Sequence, residues 1–247
     1  MDDSVIDEAG YEISHENFVI VNTSINFIRI KIIKTERIIE GIIKTIADTS
    51  WVCSINEQII EDSFMERAYP TINRLNSQLK RAVDNNKVNA VGETIVSVTA
   101  RFIIEKCLKY RALPLAEIIK QKEIGNPGFD FHHEKDSLFL VFGESKYVAG
   151  SNAYNSSIGQ ILGFIEDKKH IKDIADLTYF ISYDVMQNLN SKDKAPADKF
   201  CFSAAFSTSS SNYNTDKMIK NIKNNRKFQQ LVGQNYKELI LVAVDLL

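Results

Sequence analysis

The sequence predicts an α/β protein: a central mixed sheet flanked by helices over residues 89–247, preceded by an N-terminal α+β extension over residues 1–88. Three observations predict it. Short apolar runs rich in Ile, Val and Phe, some of them alternating with polar residues, recur along the chain as strands do. Between them lie longer segments with apolar residues three and four apart, the spacing of one helix face. From residue 89 onward the two patterns interleave as helix, strand, strand, helix, helix, strand, helix, strand, an order that suits a sheet covered by helices.

Composition narrows the class. The 247 residues are 44% hydrophobic and 25% charged, ordinary for a globular protein and unlike a disordered one. A chain of this length buries a large core without disulfides or structural metals. Thirty Lys and Arg face 32 Asp and Glu, a formal net charge of −2. That excludes a histone-like nucleic-acid coat, so any nucleic-acid site must be a local patch, helped by metal ions. Cys53, Cys107 and Cys201 are odd in number and far apart, which predicts reduced, mostly buried thiols. The start, Met1-Asp2-Asp3-Ser4, is acidic, unlike a secretory signal. Ile25 to Ile33 is interrupted by Arg29 and Lys31, too short and too charged to span a bilayer. The expectation is a soluble, cytoplasmic protein with no membrane partner.

The elements follow in order. Residues 1 to about 17 are acidic and weakly patterned and read as a loose arm. Phe18–Asn22 and Ile25–Lys34 read as a strand hairpin. From Glu36, Ile38, Ile39, Ile42, Ile43 and Ile46 share one broad helical face. Asn56–Ala68 predicts a second helix, Pro70 a break, and Thr71–Asp84 a third, with Ile72, Leu75, Leu79 and Val83 as its stripe. Asp84-Asn85-Asn86-Lys87 is a polar break. A long helix runs over about Asn89–Lys109, and Gly125-Asn126-Pro127-Gly128 is a turn. Strands follow at Phe129–His133 and Leu138–Val148, then helices at about Asn155–Lys168 and Ile174–Leu189. Lys199–Ser207 is a strand, Ser207–Asn214 a Ser/Asn-rich loop, Asp216–Val232 a basic helix and Glu238–Leu247 a final apolar strand.

The chemistry concentrates in one strand. Leu138 to Gly143 is apolar or Gly, and then come Glu144, Ser145 and Lys146. Strand side chains alternate, so Glu144 and Lys146 point the same way. Asp130 lies on the preceding strand, and the short connection makes the strands neighbours. Two carboxylates and an ammonium then converge at one sheet edge. Magnesium takes hard oxygen ligands, commonly one or two carboxylates. Asp130 and Glu144 supply them, with the backbone carbonyl of Ser145 as a third. A divalent ion there activates water and neutralises phosphate charge, while Lys146 orients the water or stabilises the transition state. The plainer reading is a buried ion pair at a strand end. Acid-x-Lys also occurs at Glu166–Lys168 and Asp167–Lys169, but there in a polar helix end.

Gly128-Phe129-Asp130, an apolar strand and Glu144-Ser145-Lys146 together resemble the signature of the PD-(D/E)XK nuclease superfamily. The resemblance implies a restriction-endonuclease-like core and metal-dependent hydrolysis of DNA, with Mg2+, or alternatively Mn2+, as cofactor. It also implies a Glu on the helix before the first core strand, and Glu93, after Gly92, stands there as a catalytic residue and a further metal ligand. The first motif reads Gly-Phe-Asp where the signature has Pro-Asp. The longer pattern, Gly92-Glu93, Leu113-Pro114, Gly128-Phe129-Asp130 and Gly143 to Tyr147, resembles the HamA family, the small effector nucleases of Hachiman antiphage defence. That implies DNA as substrate and a large helicase subunit (HamB-like) as partner, with the first 88 residues as the docking module and their Ile-rich helices as the candidate surface. Gln160, on the helix that packs beside the site in this superfamily, is a candidate phosphate contact. Lys217, Lys220, Lys223, Arg226 and Lys227 recur at helical spacing and suggest a basic stripe along DNA. His132 and His133 read as strand-end surface histidines, with His132 on the same strand face as Asp130. Two other readings stay open: a catalytically silent nuclease-like subunit that binds or scaffolds, and a restriction-type endonuclease.

Overall fold

Thr23, Ile25, Ile28, Ile30 and Ile32 supply the β-branched residues of β2 (Thr23–Ile32), which forms the first hairpin with β1 (Tyr11–Ile20). The structure is a computed structural model that describes residues 10–84, 87–120, 128–149, 151–208 and 214–246. Helices α1 (Thr35–Ala47) and α2 (Gln58–Asp84) follow, and a 3-10 turn at Val88–Val91 leads into α3 (Gly92–Leu108). Next come a two-residue strand β3 (Arg111–Ala112) and a single-turn α4 (Ala116–Ile119), then β4 (Phe131–Lys135) and β5 (Phe139–Lys146). The remainder is α5 (Tyr154–Glu166), α6 (Lys169–Leu177), α7 (Tyr183–Asn190), β6 (Phe200–Thr208), α8 (Thr215–Lys223), α9 (Arg226–Val232) and β7 (Glu238–Asp245).

The strands form one seven-stranded mixed sheet in the order β1-β2-β7-β6-β5-β4-β3. β2, β7, β6 and β5 run parallel to their neighbours in that row, while β1 and the pair β4 and β3 join antiparallel. β2 pairs with β7 from Ser24 opposite Glu238 to Lys31 opposite Asp245, so the first hairpin is part of the same sheet as the strands after residue 89. The row is locked by Arg29, whose guanidinium lies 2.7 Å from Asp245, while Thr208 donates to the same carboxylate.

Alternation sorts the strand residues into two apolar layers. Ile28, Ile30, Val141, Cys201, Ile240 and Val242 face the layer under α1, α2 and α3. Phe27, Phe142, Phe202, Phe206, Leu239 and Leu241 face the layer under α5 to α9. The mixed sheet with helices on both faces, and the adjacent motif strands, are as the sequence predicts.

Several elements differ from the expectation. β1 begins at Tyr11 inside the stretch read as a loose arm, of which residues 1–9 lie outside the described ones. Its pattern is polar because β1 is an edge strand, and most of its side chains are only partly covered. α2 runs unbroken through Pro70. Phe64, Ala68, Ile72, Leu75 and Leu79 keep one continuous stripe across the proline, and both Pro70 and Glu66 are exposed, so the carbonyl the ring leaves without a donor lies on the exposed side of the helix. The helix expected at 174–189 is two, and the hydroxyl of Ser182 accepts from Val185 N–H to start α7. The basic helix is also two, because Asn225 accepts from the N–H groups of Lys227 and Phe228 and caps α9. Of the expected polar break only Asp84 and Lys87 are described, of the Gly-Asn-Pro-Gly turn only Gly128, and residues 209–213 of the Ser/Asn-rich loop lie outside the described ones. Ile39, Ile42 and Ile46 are buried in the core, so α1 spends its Ile-rich side on packing. Cys201 is buried, Cys107 half-buried and Cys53 exposed, where mostly buried thiols were expected. Among the described residues no helix is long and apolar enough to cross a membrane.

Candidate functional site

The site forms where β5 runs out of its covered stretch. Phe139 to Ser145 are buried between β4 and β6, and Lys146 is the first residue to emerge. Gly143 is required by the neighbour strand, since a Cβ there would lie 2.0 Å from the Phe131 ring. Asp130 precedes β4, and its backbone N–H donates to the carbonyl of Gly143 at 2.8 Å. This lays Asp130 beside the end of β5. There the Ser145 N–H and hydroxyl donate to its Oδ2 at 2.9 and 2.5 Å.

Glu93 arrives from the first turn of α3, a position that favours an acid. Gly92 brings that turn close, because its Cα faces the ring of Tyr147, just past the motif. An added Cβ would lie 2.4 Å from the ring. The Tyr147 hydroxyl donates to the side chain of Asn89, pinning the same turn. Gly92→Ala should therefore push α3 off the end of β5 and cost about 1–3 kcal/mol in chemical denaturation, the usual range for overpacking. Tyr147→Ala in the same chain should restore most of it, and a Gly92→Ala variant as stable as the parent would show that the close approach is not needed.

Glu93, Asp130 and Glu144 each offer a carboxylate oxygen within 4.8 Å of the others. Two oxygens on opposite sides of one Mg2+ stand about 4.2 Å apart, so small side-chain rotations would suffice to share an ion. Lys146 Nζ lies 2.7 Å from Glu93 and 3.2 Å from Glu144. Exposure falls across the three acids: Glu93 is exposed, Asp130 half-buried and Glu144 only 1% exposed. A cleft of about 200 Å³, lined by Glu93, Thr94, Ser97, Asp130 and Ser145 among others, opens on the group.

Electrostatics set the state of each group. Burial, and then the charge of Asp130, push the Glu144 carboxyl well above its ordinary pKa, with Lys146 opposing. Burial alone would lower Lys146, but Glu144, Glu93 and Asp130 together outweigh it and raise its pKa. One Glu144 oxygen, Oε2, is buried with no hydrogen-bond partner. A buried carboxylate oxygen without a donor suits a cation. The donor set is all oxygen, the choice of hard ions such as Mg2+ or Mn2+ rather than soft ones. The three carboxylates thus fit a divalent ion. A plain ion pairing of Lys146 with Glu93 and Glu144 is present too, but it does not account for Asp130.

A pH dependence follows from the raised Glu144 pKa. The metal-free folded protein holds this proton more tightly than the unfolded chain does. The resulting stability is complete below the ordinary Glu pKa and is lost as pH rises through the raised one. The metal-free Tm should therefore fall over that window by more in the parent than in Glu144→Gln. The Tm gain from added Mg2+ should grow over the same window, because binding expels the proton. Equal slopes for the two proteins in thermal melts would show that Glu144 does not carry the effect.

The other candidates separate from this group. Ser145 enters through its amide and hydroxyl, which hold Asp130, roles the sequence reading passed over for its carbonyl. Gln160 is half-buried on α5 and makes no hydrogen bond to the three carboxylates. Its helix reaches the site through Ser157, three residues earlier, whose hydroxyl donates to the Glu144 carbonyl at 2.9 Å. Lys217, Lys220, Arg226 and Lys227 are exposed, and the half-buried Lys223 sits 3.9 Å above the Phe18 ring. With a break between α8 and α9 these cations do not form one helical stripe. His132 and His133 are not surface residues, for both are fully buried. Burial lowers the pKa of each, that of His133 to about 3, so both are neutral. His133 Nε2 bonds the Arg101 carbonyl at 2.9 Å and His132 Nε2 lies 3.2 Å from Asp173. Ser157 and Asp173 carry no local sequence signal, because only the packing of α5 and α6 brings them to the strands. Comparison of the chain with protein-family models and with curated proteins found no match.

Proposed function

We propose that this chain is a metal-dependent deoxyribonuclease of the PD-(D/E)XK kind, hydrolysing phosphodiester bonds in DNA with Mg2+ or Mn2+. The convergence of Glu93, Asp130 and Glu144 on one point, with Lys146 beside them and Glu144 Oε2 unpartnered, is the observation that carries the reading. Asp130 and Glu144 would hold the ion, with Glu93 at its exposed side and the Ser145 carbonyl as a further ligand. When bound, the ion would supply Lewis-acid stabilisation of the phosphate charge and a more acidic water.

The chain's own groups do the rest. Ser145 fixes the rotamer of Asp130 through two hydrogen bonds. Glu93 and Glu144 hold the Lys146 ammonium at the cluster and keep it charged. From there Nζ can hold the attacking water or meet the negative charge that grows on phosphate oxygens, an interaction stronger in the transition state than in the ground state.

The wider proposal is an effector nuclease of a HamA-like antiphage defence complex, acting in the cytoplasm with a helicase subunit. Residues 89–247 would carry the chemistry and residues 1–88 the docking. The net charge of −2 supports it, since a chain without a large basic field has weak intrinsic affinity for DNA and gains from a partner that raises its effective concentration there. Incubating the purified protein with plasmid and with linear DNA, in Mg2+, Mn2+ or chelator, tests the core of it. Cleavage that needs the metal is expected, and no cleavage in any metal, alone or with its neighbouring helicase, overturns the reading.

A further inference from the structure

Asp173 stands on α6, on the sheet face opposite α3, and touches none of the three carboxylates. Its side chain is 6% exposed and fully engaged. Oδ2 accepts the backbone N–H of Phe129 at 2.9 Å and lies 3.2 Å from His132 Nε2. Oδ1 lies 2.6 Å from the ammonium of Lys120. Phe129 is the residue before Asp130, and His132 the second residue after it, so one carboxylate grips the chain on both sides of a metal-ligand candidate. Gly128 completes the grip, because a Cβ there would lie 2.5 Å from Lys120 Nζ and 2.6 Å from Asp173 Oδ1. A side chain at this position would have to displace the ion pair.

We propose that Asp173 is a positioning residue for Asp130: it fixes the backbone from which Asp130 reaches the carboxylate cluster, so that ion affinity depends on a side chain that meets neither ion nor substrate. The inference rests on the nuclease reading only for its activity readout. The backbone of Asp130 is tied to β5 and α4, its N–H donating to the Gly143 carbonyl at 2.8 Å and its carbonyl accepting from Ala116 at 3.3 Å, and Asp173 ties the residues on either side. The Phe129 N–H has an ionised acceptor, which makes a shorter and stronger bond than a neutral one. The charge of Asp173 is kept by its surroundings, since burial opposes it but His132 and Lys120 outweigh burial and hold its carboxyl below the usual pKa. Supporting groups of this kind typically change ion affinity or activity 10–100-fold when lost.

The test compares Asp173→Ala and the isosteric Asp173→Asn with Asp245→Asn, which weakens a buried carboxylate on β7 outside the cluster. Mn2+ affinity is read by electron paramagnetic resonance well below every Tm, together with kcat and KM for plasmid cleavage. Loss of about 10-fold or more in Mn2+ affinity and in kcat, with KM unchanged and with Asp245→Asn like the parent, is the expected result. Asp173→Asn keeps one oxygen for the Phe129 N–H and should lose less. Mn2+ affinity and kcat within about twofold of the parent, alongside a lowered Tm, overturn the inference and leave Asp173 a packing residue. If Asp173→Ala does not fold, Asp173→Asn is judged by the same criteria. A crystal structure of the variant separates the two readings when the parent binds no Mn2+: a displaced Asp130 upholds the inference and sinks the nuclease assignment, while an Asp130 still bonded to Ser145 sinks the inference.

Discussion

Lys146→Ala should slow metal-dependent DNA cleavage by about 10²–10³-fold, the usual loss for one charge-stabilising group. Asp130→Asn and Glu144→Gln should lose at least as much, because each would remove one of the proposed metal ligands. The variants are informative because they should stay folded. Burial and the charge of Asp130 disfavour the Glu144 carboxylate, so Glu144→Gln should melt at the same temperature or higher near neutral pH. Lys146 is partly exposed at the end of β5. Cleavage rates of all three equal to that of the parent would reject the site. Variants that unfold instead would show that the Glu144–Lys146 pair serves the fold. Non-additivity is a further expectation: a Glu144→Gln/Lys146→Ala chain should be hardly slower than the worse single variant, since the groups act as one unit.

The largest stability loss is expected at Asp245→Ala, about 3–5 kcal/mol in urea denaturation, the cost of stripping one partner from a buried ion pair. Asp245 is 1% and Arg29 12% exposed at the side chain. Arg29 donates to Asp245 Oδ2 through Nε at 3.0 Å and Nη2 at 2.7 Å, while Thr208 donates to Oδ1. Alanine leaves a covered guanidinium without its carboxylate. Replacing both partners, Arg29→Met with Asp245→Leu, should be far milder, because the stranded charge goes too. A loss below about 1 kcal/mol for Asp245→Ala would place this pair with exposed surface pairs.

The parts of this fold legible in the sequence are those set by local periodicity. Glu144 and Lys146 share a side because strands alternate, and Asp130 sits beside them because a short connection makes neighbours of β4 and β5. The stripes of α1 and α2 needed only spacing. What was hidden is set by partners distant along the chain. The edge position of β1 erased its alternation. Pro70 looked like a stop because a proline rule applied locally misses a stripe that stays in phase on both sides. Asn225 looked like one residue of a basic helix, when its side chain was free to cap a new one. His132 and His133 looked exposed because nothing in Phe131 to Lys135 reveals that Asp173 and the Arg101 carbonyl wait for them. The two-residue β3 and one-turn α4 are too short for any period to show.

The place of β7 between β2 and β6 reaches into how the protein is made. β7 is the last of the seven strands to leave the ribosome, yet it joins the two halves of the sheet. Until it emerges, the nascent polypeptide holds one hairpin and one four-stranded piece, each with a bare edge where β7 belongs. Such edges pair readily with other chains, and contacts this distant in sequence form slowly. Synthesis at about 5–20 residues per second leaves the β2 edge open for roughly 10–45 s and the β6 edge for roughly 2–7 s. The half-made chain is therefore the form most in need of a chaperone. A premature stop before Glu238 would leave β2 and β6 without the strand that pairs with both.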